Sequence, residues 1–229
     1  MDLVFDIGYN KGEFARECIR QFPKCKVLGV EANLSLIYGA SETPNLKILN
    51  FLVSSKDDAE IDFYIEPYQT GISTASKDFI KNSRFKKGSK YLEPNNSHWM
   101  EPVKVKTITL DTLVKEYGTP DYIKVDVEGY EHEVIVGLSE KQHTLCFEWH
   151  EEGHQEVYKI VSHLQKIGYK KFGIIGYFDE GDIFENFTFS NKGDPYLQEP
   201  DQYFSWDNLG FETLIKPERR VNYGMMFVR

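Results

Sequence analysis

Short apolar runs alternate with amphipathic stretches along most of this 229-residue chain. Residues 3–7 form an apolar strand that stops at Gly8 and Gly12. Phe14, Cys18 and Ile19 then recur at helical spacing, which predicts a helix from about 12 to 21 with Pro23 beyond its end. A strand over 25–31, a short helix over 34–40 and a third strand from Leu46 to Val53 follow. Glu60 to Ile65 alternates as an edge strand or hairpin arm. Residues 66–100 are polar, with a weak helix near 75–83. Val103 to Leu110 alternates as another strand, and Asp111 is the expected N-cap of a helix ending at Gly118. A strand over 121–127, a helix from about 130 to 138, a strand over 144–149 and a helix over 152–167 continue the rhythm. In that last helix Val157, Ile160, Val161, Leu164 and Ile167 make one apolar stripe. Tyr169 to Tyr177 and Tyr223 to Val228 supply two closing strands. Strands alternating with helices predict an α/β fold: a mostly parallel, Rossmann-like sheet with helices on both faces. No internal repeat interrupts it, and the length suits one domain over residues 1–229. Met1-Asp2 leads straight into the first core strand, which suits a domain cut from a longer polypeptide as well as a naturally short start.

Composition narrows the class. A net charge of −9 argues against loose binding to nucleic acid or anionic membrane, because both are negative. No apolar stretch is long enough to predict a membrane span, and no signal peptide precedes the first strand. Cys18, Cys25 and Cys146 lack metal-ligand spacing and read as reduced thiols, so the expected location is cytoplasmic.

The ends of the predicted strands carry the chemistry. In a parallel sheet, ligands sit beyond the carboxyl ends of the strands, where the strand order reverses. Those ends are Asp6, Glu31, Ser54, Asp126 with Glu128, and Glu148 with His150. A single acid there is more often a helix cap or a solvated end; so many converging on one edge point to a site. The segment VFDIGYNKG followed by Glu31 reads as a nucleotide-binding βαβ unit. Its glycines are spaced Gly8-x-x-x-Gly12, whereas a dinucleotide fingerprint has G-x-G-x-x-G. Asp6 would repel a pyrophosphate but suits a ligand carrying positive charge, such as S-adenosylmethionine (SAM). A tight strand-to-helix turn without any ligand is the plainer alternative.

DIGYNKG, the Glu31 strand end, TGISTAS, KTITLDTL and IKVDVEGYEHEVIVG together resemble the FkbM-type SAM-dependent methyltransferases. The likeness runs from Val4 to about His150, with the segments in the family's order. The resemblance implies a seven-stranded class I methyltransferase sheet with an antiparallel last strand, SAM as cofactor, and O-methyl transfer. It places Asp6, Gly8, Asn10 and Gly12 around the methionine end of the cofactor. Tyr9 stands where the family has a small residue, which alters contacts there. Glu31 is to accept the ribose hydroxyls, and Asn50 to Ser54 to reach the adenine. Ser73 and Thr74 match the family's serine pair and, with Glu128, fall on the acceptor side.

Methyl transfer to a hydroxyl needs a positioned base. Asp126, beside the cofactor, is the first candidate, with Glu148 and His150 as rivals. A metal-free base is favoured, although Asp126, Glu128, Glu148 and His150 could instead hold a divalent cation that acidifies the hydroxyl. The expected activity is SAM-dependent O-methylation of a hydroxyl, foremost of a sugar in a glycan or glycolipid, in fusion or partnership with a glycosyltransferase. A small-molecule acceptor fits the same chemistry. The alternatives are a nicotinamide-dependent oxidoreductase and a catalytically silent binding module of the same fold.

Two further segments stand out. Lys77, Lys81, Arg84, Lys86, Lys87 and Lys90 form a basic run, expected to be a solvated loop rather than an anion site. Residues 177–211 are dense in irregularly spaced aromatics, which suits either core or an acceptor-binding lid.

Overall fold

The computed structural model describes residues 1–38, 40, 42–86, 99–177, 195–197, 200, 202–206 and 223–229. Lys87, Lys90 and most of the aromatic segment from 177 to 211 lie outside the described residues. In chain order the elements are β1 (Leu3–Ile7), α1 (Glu13–Gln21), β2 (Lys26–Val30), α2 (Leu34–Ile37), β3 (Leu46–Leu49), β4 (Leu52–Val53) and β5 (Glu60–Phe63). They continue with α3 (Lys77–Asn82), β6 (Val103–Ile108), α4 (Leu110–Tyr117), β7 (Tyr122–Val125), α5 (Glu131–Ile135), β8 (Thr144–His150), α6 (His154–Lys166), β9 (Phe172–Tyr177) and β10 (Tyr223–Val228).

Seven strands form the main sheet in the order β3-β2-β1-β7-β8-β10-β9. Strands β3, β2, β1, β7 and β8 run parallel, and β10 is antiparallel to both β8 and β9. The antiparallel last strand is thus present. Parallel strands covered on both faces read as continuous apolar runs, and Val4, Phe5, Ile7, Ile123, Val125, Leu145 and Phe147 are buried accordingly. One apolar cluster packs α4, α5 and α6 against one face, and a second packs α1 against the other. The strand order reverses between β1 and β7, with Asp6 opposite Lys124 and Ile7 opposite Val125. That reversal opens the crevice in which ligands of such sheets bind. Among the described residues no helix is long and apolar enough to cross a membrane.

Two local expectations need correcting. Leu46 to Val53 is not one strand: β3 extends the main sheet beside β2, while β4 pairs with β6 in a separate three-stranded sheet of order β4-β6-β5. The break falls at Asn50, whose side-chain amide donates to the carbonyls of Glu31 (2.8 Å) and Ala32 (3.1 Å) and ties the chain to the end of β2. The N-cap of α4 is Thr109, whose hydroxyl accepts from the Thr112 amide at 3.1 Å. Asp111 lies inside the helix and instead accepts from the Ser139 amide at 2.9 Å.

Candidate functional site

A cleft opens at the strand reversal, where ligands of such sheets bind. Its polar end is made by Gly8, Asn10 and Glu31, and its apolar end by Phe51, Leu52 and Phe63. A second hollow shares Gly8, Asn10, Thr70 and Asp126 with the cleft and continues to Lys124 and Tyr196.

Glu31 ends β2 with its carboxylate held at both oxygens. Oε2 accepts from the Asn10 amide at 2.7 Å, and Oε1 from the Asn33 amide at 2.7 Å. Burial pushes its pKa up, and these two bonds oppose the shift. Each carboxylate oxygen keeps acceptor capacity beyond its one amide. Asn10 reaches this position through a left-handed backbone, φ 48°, and its side-chain oxygen accepts from the Thr70 hydroxyl at 3.2 Å.

The glycines of the β1–α1 turn serve the protein's own packing. Both have positive φ, 77° at Gly8 and 74° at Gly12. A Cβ on Gly8 would run into the carbonyl oxygen of Asp126, and one on Gly12 into the ring of Tyr9. These glycines allow close approach within the fold, and Gly8 also lines both the cleft and the second hollow. The Tyr9 ring is buried between Gly12 and Gly29, in the apolar cluster beneath α1. Its side chain thus packs in the core, while Tyr9 also lines the second hollow.

Asp6 is fully buried and is not among the residues lining the cleft. Its Oδ1 accepts from Lys124 Nζ at 3.0 Å, and the same ammonium donates to the Gly8 carbonyl at 2.8 Å. Burial raises the Asp6 pKa and Lys124 opposes that rise. The charge expected to attract a cationic ligand is largely answered from within. Lys124 also lies 3.6 Å from Asp126 Oδ2. The sequence signal for Lys124 was a cation inside the apolar strand IKV, where a buried lysine needs partners.

Asp126 keeps 26% of its side chain exposed and lines both the cleft and the second hollow. Tyr196 lies beside it: burial, and then the Asp126 charge, push the tyrosine pKa up. Ser54 is buried with its hydroxyl 3.1 Å from that of Tyr130, so Tyr130 rather than Ser54 meets the cleft. Ser73 lines the cleft, its hydroxyl accepting from the Glu66 amide at 3.1 Å. Thr74 is fully buried and donates to the Glu128 carbonyl at 2.7 Å, bracing the β7–α5 turn. Phe63, Thr70, Gly71, Tyr130 and Tyr196 join the site as well; Thr70, Gly71 and Tyr130 belong to the segments that carry the family resemblance, Tyr196 to the aromatic stretch, and only Phe63 lies in a segment without such a mark.

Glu128, Glu148 and His150 converge at one point. His150 Nε2 lies 3.1 Å from Glu148 Oε2 and 3.6 Å from Glu128 Oε2. Burial pushes both glutamate pKa values up. Burial works against a charged His150, yet the two carboxylates hold its pKa well above the usual value. Glu128 lines the cleft, while Glu148 and His150 line a further cavity of about 740 Å³ with Phe79, Trp149 and Glu152. The basic run is partly pinned: Arg84 pairs with Glu152 at 3.1 Å on this cavity's rim, and Lys77 lies 3.7 Å from Asp62. His132 sits beside Glu133 at 3.3 Å, away from the cluster's ion pairs.

The sheet order, the antiparallel last strand and the cleft at the strand reversal define a Rossmann-like class I methyltransferase fold. The chain belongs to the FkbM methyltransferase family, whose domain model ("Methyltransferase FkbM domain") matches residues 6–171. Among solved structures it is similar to the methyltransferase FkbM from Methylobacillus flagellatus KT, with a TM-score of 0.49 and 12% identity over 80% of this chain. The chain spans 42% of that protein. It is also similar to precorrin-6y C5,15-methyltransferase from Geobacter metallireducens GS-15, with a TM-score of 0.42 and 10% identity over 100% of this chain and 81% of that one. The plantazolicin methyltransferase BpumL, solved with SAH, gives a TM-score of 0.42 and 10% identity over 100% of this chain and 76% of its own. No curated protein matches the chain in sequence.

Proposed function

We propose that this protein is a SAM-dependent O-methyltransferase that acts on a hydroxyl, foremost of a sugar in a glycan or glycolipid. The observation that carries the proposal is the pairing of Glu31 with Asp126 across one cleft at the strand reversal. A nucleoside fits the donor set: Glu31 has acceptor capacity left for a ribose diol, and Phe51, Leu52 and Phe63 offer an apolar wall for a flat base. When bound, SAM supplies a methyl carbon on a positively charged sulfur, and the acceptor oxygen takes that carbon as the C–S bond breaks and its electron pair returns to sulfur.

The chain's own residues supply position and a proton acceptor. Glu31 and Asn10 hold the ribose side, and the second hollow along Lys124 and Tyr196 takes the amino-acid end. Asp126 accepts the hydroxyl proton; Lys124 and Tyr196 hold its carboxylate in place. Phe79, Glu148 and Glu152 line the adjoining cavity, and an aromatic face with carboxylates is equipment that grips a sugar. Such an acceptor is the product of glycosyl transfer, which makes a glycosyltransferase the fitting fused or partner enzyme.

Calorimetry with SAM, S-adenosylhomocysteine and NAD tests the cofactor. Saturable binding of the first two without NAD is expected, and NAD binding alone would move the chain to the oxidoreductases. Asp126→Asn should keep S-adenosylhomocysteine affinity while turnover of labelled SAM on a glycan pool falls roughly 10²–10⁴-fold, the usual size of general-base catalysis. Full turnover in that variant would remove Asp126 as the base.

A further inference from the structure

Glu128, Glu148 and His150 have no part in holding the nucleoside. One ligand-type atom from each lies within 4.8 Å of the other two, and the two closest separations are the 3.1 and 3.6 Å already given. Donors bound to one metal ion at roughly 2.0–2.2 Å stand about 3–3.5 Å from one another, so the cluster is close to a coordination shell. The side chains of Glu148 and His150 are each 10% exposed. Even so, Glu128 Oε2, Glu148 Oε2 and His150 Nε2 have no hydrogen-bond partner. They are near enough to attract one another electrostatically but are not aligned to bond. Buried polar atoms are nearly always satisfied. Three such atoms facing one volume can be satisfied together by a partner from outside the chain.

The charges and donors say what kind of partner. Two carboxylates facing each other need positive charge between them. A shared proton on His150 supplies one unit; a divalent cation supplies two and satisfies all three orphan atoms at once. An imidazole nitrogen with two carboxylate oxygens suits a first-row transition ion such as Mn²⁺ or Zn²⁺ better than Mg²⁺ or Ca²⁺, which favour oxygen throughout. The ligands are also held in advance. Glu148 and His150 are two apart on β8 and so share one face of the strand. The rings of Phe79 and Tyr223 pack on the imidazole at centroid distances of 5.6 and 6.4 Å. Glu128 is fixed in a left-handed conformation, φ 55°, with its carbonyl tied to Thr74.

The geometry points to a divalent transition-metal site formed by Glu128, Glu148 and His150 at the boundary between the cofactor cleft and the adjoining cavity. Three protein ligands leave coordination positions open, and an acceptor oxygen is the group to fill one. That use rests on the proposed methyl transfer, but cation binding does not, so the two can fail separately.

The test uses the full chain after chelation and desalting. Titration with MnCl₂ by calorimetry should give saturable one-to-one binding, and MgCl₂ should bind more weakly. Pulsed electron paramagnetic resonance of the bound Mn²⁺ should show modulation by a directly coordinated imidazole ¹⁴N. Glu148→Gln and His150→Gln should each weaken Mn²⁺ binding about tenfold or more, with far-ultraviolet circular dichroism unchanged. Absence of saturable Mn²⁺ binding, binding equally strong in both variants, or a bound-ion spectrum without nitrogen modulation overturns the assignment. The spectrum of the wild-type protein decides the matter by itself if either variant does not fold.

Discussion

Glu31 combines two demands in one carboxylate: it ties the β1–α1 turn to the end of β2, and it offers its remaining lone pairs to the cleft. Glu31→Ala should weaken S-adenosylhomocysteine binding by roughly 1.5–3 kcal/mol, the range for hydrogen bonds to a charged group, or about 10- to 150-fold in Kd. An unchanged Kd by calorimetry removes Glu31 from the site. The acid was legible because it ends a strand about twenty residues after a glycine turn, a spacing tied to ribose binding. Asp6 was legible as an acid at a strand end, but its counter-ion was not. Lys124 reaches it only because β7 lies beside β1, and no local pattern discloses which strand is a neighbour. Tyr9 illustrates the same limit: only the third dimension shows that its ring packs against Gly12 and Gly29 beneath α1.

At the scale of elements, the β1–α1 turn is shaped by contacts inside the protein. Gly12→Ala would set a methyl group against the Tyr9 ring at a backbone φ of 74°. Overpacking and left-handed strain of this kind cost roughly 1–3 kcal/mol each. The ligand-free variant should therefore melt several degrees below the wild type by differential scanning calorimetry. If the ligand-free melting temperature is unchanged while S-adenosylhomocysteine binding disappears, the turn is shaped for the ligand instead. Elements with clean periodicity, such as β1, α6 and β10, were legible almost to the residue. The stretch from Leu46 to Val53 was not. Its apolar run is interrupted only by Lys47 and Asn50, and the change of sheet accompanies the Asn50 amide bonding to the end of another strand.

Across the whole molecule, buried acids make stability depend on pH. Burial pushes Glu131 up to about 7 from 4.5, with the charges of His150 and Glu148 pulling in opposite directions. Its Oε1 accepts from the amides of Val127 and Gly129. An acid with a raised folded pKa binds its proton more tightly when folded. Its destabilising effect is therefore absent below the unfolded pKa, grows as pH rises from about 4.5 to about 7, and persists above that. Glu131→Gln keeps an oxygen for both amides and removes the titration. The variant should match the wild type near pH 4 and exceed it at pH 8 by on the order of 3 kcal/mol in urea unfolding. An equal gain at both pH values would show that the effect is packing, not charge. The α/β class and the helices on both faces were legible from alternation alone, and the family resemblance supplied the antiparallel last strand. The meeting of Glu128 with Glu148 and His150 depends on β7 lying beside β8, with Val125 opposite Phe147, a register that the pattern of residues leaves open.

Asn50 has a larger consequence than the end of one strand. By sending the chain from the main sheet to the small one, it puts the apolar end of the cleft, Leu52 and Phe63, on a different slab from Gly8 and Glu31. Whatever fills the cleft is a rivet through two plates. Its grip is then also a clamp on the architecture, and mass action sets the strength of that clamp at about 2.7 kcal/mol when the free ligand stands at roughly a hundred times its Kd. A ligand held there is in this sense a removable part of the hydrophobic core, and the liganded protein is a tighter object than the bare chain.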